Sequence, residues 1–428
     1  HHVQAFALKP DDALHKLVVD DLLFETEALQ QAQQPPGPTS CRKDLDKAAA
    51  VHGLNGRQTE ALWQVLQNRC SLIQGPPGTG KTRTARAIAC ANESREGFTL
   101  LTAVTNIAVD NLALTTAKHI DHGIARVVSQ RYEEELHGND ATPKDLQAML
   151  YPEMVRLHLD SLTYARDTSK YTKHIKKHAD KVLKDKNVRT FAATCSMVGS
   201  MPVIMVKRES MPLLVQPGSL ILIDEAAQAT EPDVLQVFNC ADPQTSIHQI
   251  GDHRQLPATV THPANRADNN DISMFERLLS SGIFPCVILQ EQWRMQASIA
   301  AYPSMQFYSD GLITKTPRRR TKPEGFNWPG RDPVAFVNVH SAEGEQRGNN
   351  GKGSYFNTAE TMKVANLVED FQTWGNWLEC SLGVVTTYAN QVSAIQVELL
   401  KRKLRVAYVS SIDKSQGSEM DIIIVSLV

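Results

Sequence analysis

From Leu54 onward, short β-branched and apolar runs recur between stretches of helical periodicity: SLIQG, FTLLTAV, VRTFAAT, SLILIDE and TSIHQIG, then CVILQ, VAFVNV, LGVVTT, RVAYVSS and DIIIVSL. Runs that are apolar at successive positions predict strands buried on both faces, and their alternation with helices predicts parallel sheets joined by helical crossovers. The expected fold class is therefore α/β, with two lobes. Gly282 and Pro285 mark the boundary, giving a first lobe over 53–284 and a second over 285–428. Between about 115 and 187 the alternation gives way to a strand-poor, helix-like stretch, RYEEELHGND to KHADKVLKDK, which reads as a helical insertion in the first lobe. Residues 1–34 read as a polar-amphipathic helix that stops at Gln33-Gln34-Pro35-Pro36-Gly37-Pro38, so 1–52 is an N-terminal helical extension with a Pro-rich linker.

Composition changes this picture little. The 428 residues are 42% hydrophobic and 21% charged, within the range of folded globular proteins, and the chain is long enough for two cores. A formal net charge of -2 gives no global case for a polyanionic partner, so any such surface is local. The stretch Glu153 to Arg189 is locally basic, and it admits two readings: a solvated helical face or a phosphate-contacting surface. A second cluster, Arg318, Arg319, Arg320 and Lys322, reads as a solvated loop. Seven scattered cysteines without a CxxC pair point to neither a disulfide framework nor a zinc site, and fit a reducing compartment. No apolar run is long enough to span a bilayer and the start lacks a signal-peptide core, so the expectation is an intracellular protein of cytoplasm or nucleus with no membrane partner. The final IIIVSLV stops within what reads as a buried strand, which suggests a fragment.

Three motifs carry chemistry. SLIQGPPGTGKT followed by RTARAIACA is strand, loop, helix. In Gly75-Pro76-Pro77-Gly78-Thr79-Gly80-Lys81-Thr82 the glycines let backbone N–H groups converge on phosphate oxygens, Lys81 is placed to reach the β- and γ-phosphates, and the Thr82 hydroxyl to ligate Mg²⁺. SLILIDEAAQ ends a strand with Asp224 and Glu225, the first suited to hold Mg²⁺ and the second to orient and deprotonate an attacking water. TSIHQIGDHRQLPAT then offers Gln255, which can bond both a γ-phosphate and that water. ATP and Mg²⁺ are the expected cofactors.

With Gln58 in LNGRQTEAL ahead of them, these blocks resemble superfamily 1 (1B) helicases of the group containing the nonsense-mediated-decay helicase and senataxin; IDEAAQATEP and GDHRQLPAT carry most of the likeness. Similar blocks continue as LQEQWRM, SYFNTAE, GVVTTYANQV and SSIDKSQGSEMDIIIVS, in family order over about 52–428. The resemblance implies two RecA-like P-loop lobes and an ATP-hydrolysing enzyme that moves on single-stranded RNA or DNA, 5′ to 3′. It implies that Gln58 recognises adenine, that Trp293 stacks on it from the second lobe, that Arg294 is an arginine finger in cis, and that Glu419 contacts the ribose or orders the cleft. It also implies a nucleic-acid track including Thr102, Asn106, Thr194, Thr387 and Ser411.

Departures from the family pattern are Val104 and Thr387 in place of Pro, Gln296-Ala297 after QWRM, and Ser415 in place of an aromatic. The family's last motif, with a second arginine for the γ-phosphate, is expected beyond Val428. Two rival functions stay open: a nucleic-acid-binding scaffold with impaired turnover, and an oligomeric P-loop protein remodeller. The helicase reading implies a monomer, with protein partners binding through the N-terminal extension or regions outside this sequence.

Overall fold

The computed structural model describes residues 42–92, 97–139, 142–150, 187–199, 218–238, 241, 245–260, 271–315, 326–340, 346–347, 354–373, 380–415 and 418–428. The N-terminal extension to residue 41, the basic stretch 153–186 and the cluster at 318–322 lie outside them. The chain divides into two compact units, His1–Arg294 with Gly311–Lys315, and Met295–Asp310 with Thr316–Val428.

The first unit opens with helices α1 (Arg42–His52) and α2 (Gly56–Gln67). Asn55 caps α2 in a reciprocal capping box: its side chain accepts from the Gln58 N–H while Gln58 accepts from the Asn55 N–H. There follow β1 (Cys70–Gln74), α3 (Lys81–Asn92), β2 (Thr99–Ala103), α4 (Asn106–Ala117), β3 (Gly123–Arg126), α5 (Gln130–His137) and α6 (Lys144–Met149). β4 (Val188–Thr194), β5 (Leu220–Ile223), α7 (Glu231–Phe238), β6 (Ser246–Gly251), α8 (Met274–Ser281) and β7 (Cys286–Ile288) complete the layer. The seven strands form one parallel sheet in the order β3-β4-β2-β5-β6-β1-β7. Two apolar cores fill its faces. Leu100, Phe191, Ile221, Ile223 and Phe275 belong to one, and Leu62, Ile73, Ile88, Leu101, Leu112 and Leu222 to the other. Neighbours along a strand, such as Leu100 and Leu101, fall in different cores, which is why the sequence shows runs and not alternation.

Two expectations change here. Residues 123–126, inside the stretch read as a helical insertion, form edge strand β3 paired with β4. CVILQ, expected to open the second lobe, supplies β7, which pairs with β1 in the first sheet, so the boundary at 284/285 falls one strand too early.

After β7 come β8 (Glu291–Gln292), α9 (Ala297–Tyr308) and β9 (Ile313–Thr314), with β8 and β9 paired in parallel. The second unit has a short antiparallel pair, β10 (Gln346–Arg347) and β11 (Tyr355–Phe356), then α10 (Thr358–Thr373), β12 (Leu382–Thr386), α11 (Ala389–Lys401), β13 (Tyr408–Ser411) and β14 (Ile422–Ser426). Its parallel sheet runs β13-β12-β14, and Val364, Val368, Phe371, Val384, Ile395, Leu399, Ile422 and Ile424 form its core. Both units thus show the parallel α/β layering of RecA-like lobes. VAFVNV (334–339) is not a strand; Val334 and Phe336 are exposed, and its alternation reflects no pairing partner among the described residues. No helix among the described residues is long and apolar enough to cross a membrane.

Candidate nucleotide site and strand-facing edge

Because all seven strands of the first sheet run the same way, their C-terminal ends deliver one row of loops to a single edge, the position where open parallel sheets bind ligands. The loop after β1 is the Gly-rich segment. Gly78 (φ 73°) and Gly80 (φ 84°) adopt left-handed backbone that other residues take only at a cost, and Thr79 ties the turn by donating its hydroxyl to the Pro76 carbonyl at 2.6 Å. Lys81 begins α3 and folds back over the loop: Nζ donates to the Gly75 carbonyl at 3.1 Å, and a Cβ on Gly75 would lie 2.2 Å from the Lys81 Cγ. Lys81 Nζ is also 3.6 Å from Glu225 Oε1, so the loop after β5 meets the loop after β1 through this one ammonium. Thr82, in the first turn of α3, is exposed.

Gln58 is buried and spends its amide on the protein. Nε2 donates to the Thr79 carbonyl at 2.9 Å, and Oε1 closes the capping box from the Asn55 N–H at 3.1 Å. It is thus a clasp between α2 and the phosphate loop, lying 2.5 Å from where a Cβ on Gly80 would be.

Asp224 is buried at the end of β5, and Glu225 follows it in a left-handed conformation (φ 50°, ψ 38°) that a non-glycine residue adopts only under constraint. Asp224 Oδ1 accepts the Glu225 N–H at 2.9 Å, and Gln228 Nε2 donates to Glu225 Oε2 at 3.0 Å, fixing the carboxylate that faces Lys81. Burial pushes the Asp224 carboxyl up to about 7; the Glu225 charge adds to this, while Lys81 and the Glu225 N–H oppose it. The Asp224 carboxyl and the Thr82 hydroxyl are oxygen donors of the kind Mg²⁺ takes. After β6, Gln255 donates from Nε2 to Asp252 Oδ2 at 2.7 Å, and Asp252 Oδ1 accepts from Gln74 Nε2 at 3.4 Å, anchoring this loop to the end of β1.

Trp293 and Arg294 belong to the first unit, not the second as expected, because β7 and β8 carry them back alongside the phosphate loop. The Trp293 N–H donates to the Gly78 carbonyl at 2.9 Å, and a Cβ on Gly78 would fall 2.6 Å from the Arg294 Cβ. Trp293 is 49% exposed, and an aromatic ring at such a position can take a stacking partner. Gln292, quoted within the QWRM block but given no role from sequence, sets this arrangement. It is fully buried, donates to Thr314 Oγ1 at 2.8 Å and accepts from the Arg294 N–H at 3.1 Å. On the same side, Asn55 and Arg57 at the start of α2 donate to Glu291 and Gln290 at 3.3 and 3.2 Å. Gln292 follows the polar Gln290 and Glu291, and nothing in the sequence pattern singled it out.

The residues expected along a nucleic-acid track separate by exposure. Thr102 is fully buried in β2, where its hydroxyl donates to Cys195 Sγ at 3.6 Å; Thr194, also buried, accepts from Met197 N–H at 3.4 Å and starts the helical turn 195–199. The structure brings neither to a surface, since the sheet is covered on both faces. Asn106 is half-buried at the first position of α4. In the second unit, Ser411 ends β13 opposite Thr386, and Thr387 donates to the Val428 carbonyl at 2.7 Å, both at the C-terminal edge of that sheet. Glu419 is exposed in the segment that leads into β14.

Two families described as AAA domain match residues 53–264 and 270–428. "Regulator of nonsense transcripts 1" of Caenorhabditis elegans is 31% identical over 411 residues, covering 90% of this chain and 36% of the relative. The Neurospora crassa homolog is 30% identical over 442 residues, covering 97% and 38%, and "ATP-dependent helicase NAM7" of Saccharomyces cerevisiae is 31% identical over 397 residues, covering 88% and 38%. The chain belongs to the superfamily 1 helicases. It spans little more than a third of the length of these relatives. Among solved structures, the helicase arterivirus nonstructural protein 10 with DNA is similar at 13% identity, a TM-score of 0.40 and coverage of 90% of this chain and 56% of that one, a likeness too distant to bear on the site.

Proposed function

We propose that this chain is the motor of an ATP-dependent nucleic-acid helicase, hydrolysing ATP with Mg²⁺ and moving 5′ to 3′ on single-stranded RNA or DNA. What supports the reading most is convergence on one short loop: Lys81 bridging Gly75 and Glu225, buried Asp224 beside them, and the Trp293 N–H bonded to the Gly78 carbonyl. In this proposal the backbone from Gly75 through Pro76, Pro77, Gly78, Thr79 and Gly80 cradles the phosphates, Lys81 neutralises the β- and γ-oxygens, and Trp293 stacks on the base. Thr82 and Asp224 hold Mg²⁺, which supplies charge neutralisation at the phosphates when bound. Glu225, oriented by Gln228, takes the proton of the attacking water, and Gln255 positions that water. Arg294 stabilises the charge that develops on the transferring phosphoryl group. Gln58 positions the loop and, at the adenine side, the base.

On the strand side, Asn106 from the first unit and Thr387 and Ser411 from the second contact phosphates or sugars, and Glu419 serves the ribose side of the nucleotide. Lobe boundaries near residue 294, a monomeric state, protein partners outside these segments and an intracellular site of action complete the proposal. Two duplexes, one with a 5′ single-stranded tail and one with a 3′ tail, test it. ATP-dependent unwinding of the 5′-tailed substrate is expected; unwinding of only the 3′-tailed one overturns the polarity, and of neither the motor activity.

A further inference from the structure

Arg126, at the end of edge strand β3, has a fully buried guanidinium with every side committed. Its Nε donates to Asp110 Oδ1 at 2.7 Å, Nη1 to the Val127 carbonyl at 2.7 Å, and Nη2 to Asn106 Oδ1 at 2.8 Å. Behind it, the Tyr132 hydroxyl of α5 donates to Asp110 Oδ2 at 2.7 Å, and the guanidinium lies 6.0 Å from the Tyr132 ring centroid. Burial opposes the Arg126 charge, and the Asp110 carboxylate opposes that loss in turn. Burial and the Asp110 hydrogen bond both push the Tyr132 phenol up, so it remains a donor. Asp110 therefore accepts from both Tyr132 and Arg126, and Arg126 donates onward to Asn106. Arg126 and Asp110 are buried, while Tyr132 at one end and Asn106 at the other are half-buried.

An asparagine amide can flip by half a turn, exchanging its acceptor for its donors. A guanidinium has donors only, so the face meeting Arg126 Nη2 is the oxygen, and the NH₂ group takes the opposite side. A phosphodiester has acceptor oxygens and nothing to donate, so a fixed NH₂ group suits it and a flipped amide does not.

We propose that Arg126, braced by Asp110 and Tyr132, is a positioning residue that fixes the Asn106 amide with its NH₂ outward as a contact for the phosphodiester backbone of a nucleic-acid strand. The proposal rests on the strand-contact role given to Asn106 above. It assigns a function to β3 and α5, which the sequence had merged into a helical insertion. The contact is neutral, so it adds affinity without releasing counterions.

The test is the Kd of a fluorescein-labelled oligo-uridylate or oligo-thymidylate, read by anisotropy at several salt concentrations beside the melting temperature, for wild type, Asn106→Ala, Asn106→Asp, Tyr132→Phe and the double variant Asn106→Ala/Tyr132→Phe. Asn106→Ala is expected to weaken binding about fivefold, one hydrogen bond's worth, with the slope of log Kd against log salt unchanged. Asn106→Asp keeps an acceptor for Arg126 and replaces the donor by a charge: binding weakens at least about tenfold while the melting temperature matches or exceeds wild type. Tyr132→Phe weakens binding by roughly two- to threefold, and the double variant matches Asn106→Ala, because Tyr132 acts through Asn106. Binding by Asn106→Asp equal to or tighter than Asn106→Ala overturns the positioning claim, as does a Tyr132→Phe effect that adds in full to Asn106→Ala. Wild-type affinity in Asn106→Ala removes this contact from the strand path, while the unwinding assay decides the helicase reading separately.

Discussion

Replacing Gln292 by Leu removes a fully buried amide that has two tasks, accepting from the Arg294 N–H at 3.1 Å and donating to Thr314 at 2.8 Å. The shape is nearly kept, so the change isolates the hydrogen bonds. Leaving the Arg294 N–H and the Thr314 hydroxyl unserved costs about 1–3 kcal/mol in local stability. The larger effect is on placement. Arg294 is held against the phosphate loop by the Gln292 bond on one side and by the adjacent Trp293-to-Gly78 bond on the other. Losing one anchor lets the guanidinium wander, and a misplacement of about 1 Å can lower turnover by roughly a hundredfold. An arginine that acts on developing charge contributes in the transition state and little to ATP binding, so the drop appears in kcat with KM for ATP within about twofold. Thr314→Val, which removes only the rear support, lowers kcat by roughly three- to fivefold. Steady-state phosphate release with a saturating strand, in protein whose melting is monitored in parallel, reads both. A Gln292→Leu protein that turns over at the wild-type rate, or whose loss lies in KM alone, refutes the placement of Arg294 by Gln292.

Three further outcomes follow from the same geometry. The Asp224 carboxyl, raised above its unfolded value by burial, holds its proton more tightly when folded, so its contribution to stability is present below pH 4 and is lost as pH rises through about 7. Melting of the ligand-free protein therefore falls between pH 5 and 8 through this group, and Asp224→Asn flattens that part of the profile; an unaltered slope in the variant contradicts it. Gln58→Ala cuts the clasp to Thr79 and half of the α2 capping box, lowering stability by about 1–2 kcal/mol and weakening ATP binding, as denaturant melts and nucleotide titration will show. Gly97→Ala, remote from the phosphate loop, puts a Cβ 2.2 Å from the Gly218 carbonyl, a backbone atom that cannot yield cheaply; a loss of at least about 2 kcal/mol is expected, and melting within about 0.5 kcal/mol of wild type contradicts it.

The sequence made the phosphate site legible because its parts are local. A glycine loop between a strand and a helix, and acids or Gln255 just past strand ends, need only β1, β5 and β6 to be parallel neighbours. β3 was hidden for the opposite reason: GIAR carries a glycine and a buried arginine, whose acceptability depends on Asp110 and Asn106 from another element. β7 is three residues long, too short for a period to assign it to one sheet or the other. Thr102 and Thr194 were misplaced outward because strand-end hydroxyls suggest a surface, while in a sheet covered on both faces they are interior. Gln292 had no pattern at all; its function appears only when Thr314, 22 residues on, pairs beside it.

The central claim is that this P-loop turns over ATP in response to a bound strand. Phosphate release should be measured with and without single-stranded RNA and DNA, in protein carrying this sequence together with any residues that follow Val428, and with Lys81→Ala beside it. The account predicts a low basal rate that rises severalfold or more with at least one of the two strands and is abolished in Lys81→Ala. A rate indifferent to both nucleic acids, or one that survives the loss of Lys81, contradicts it.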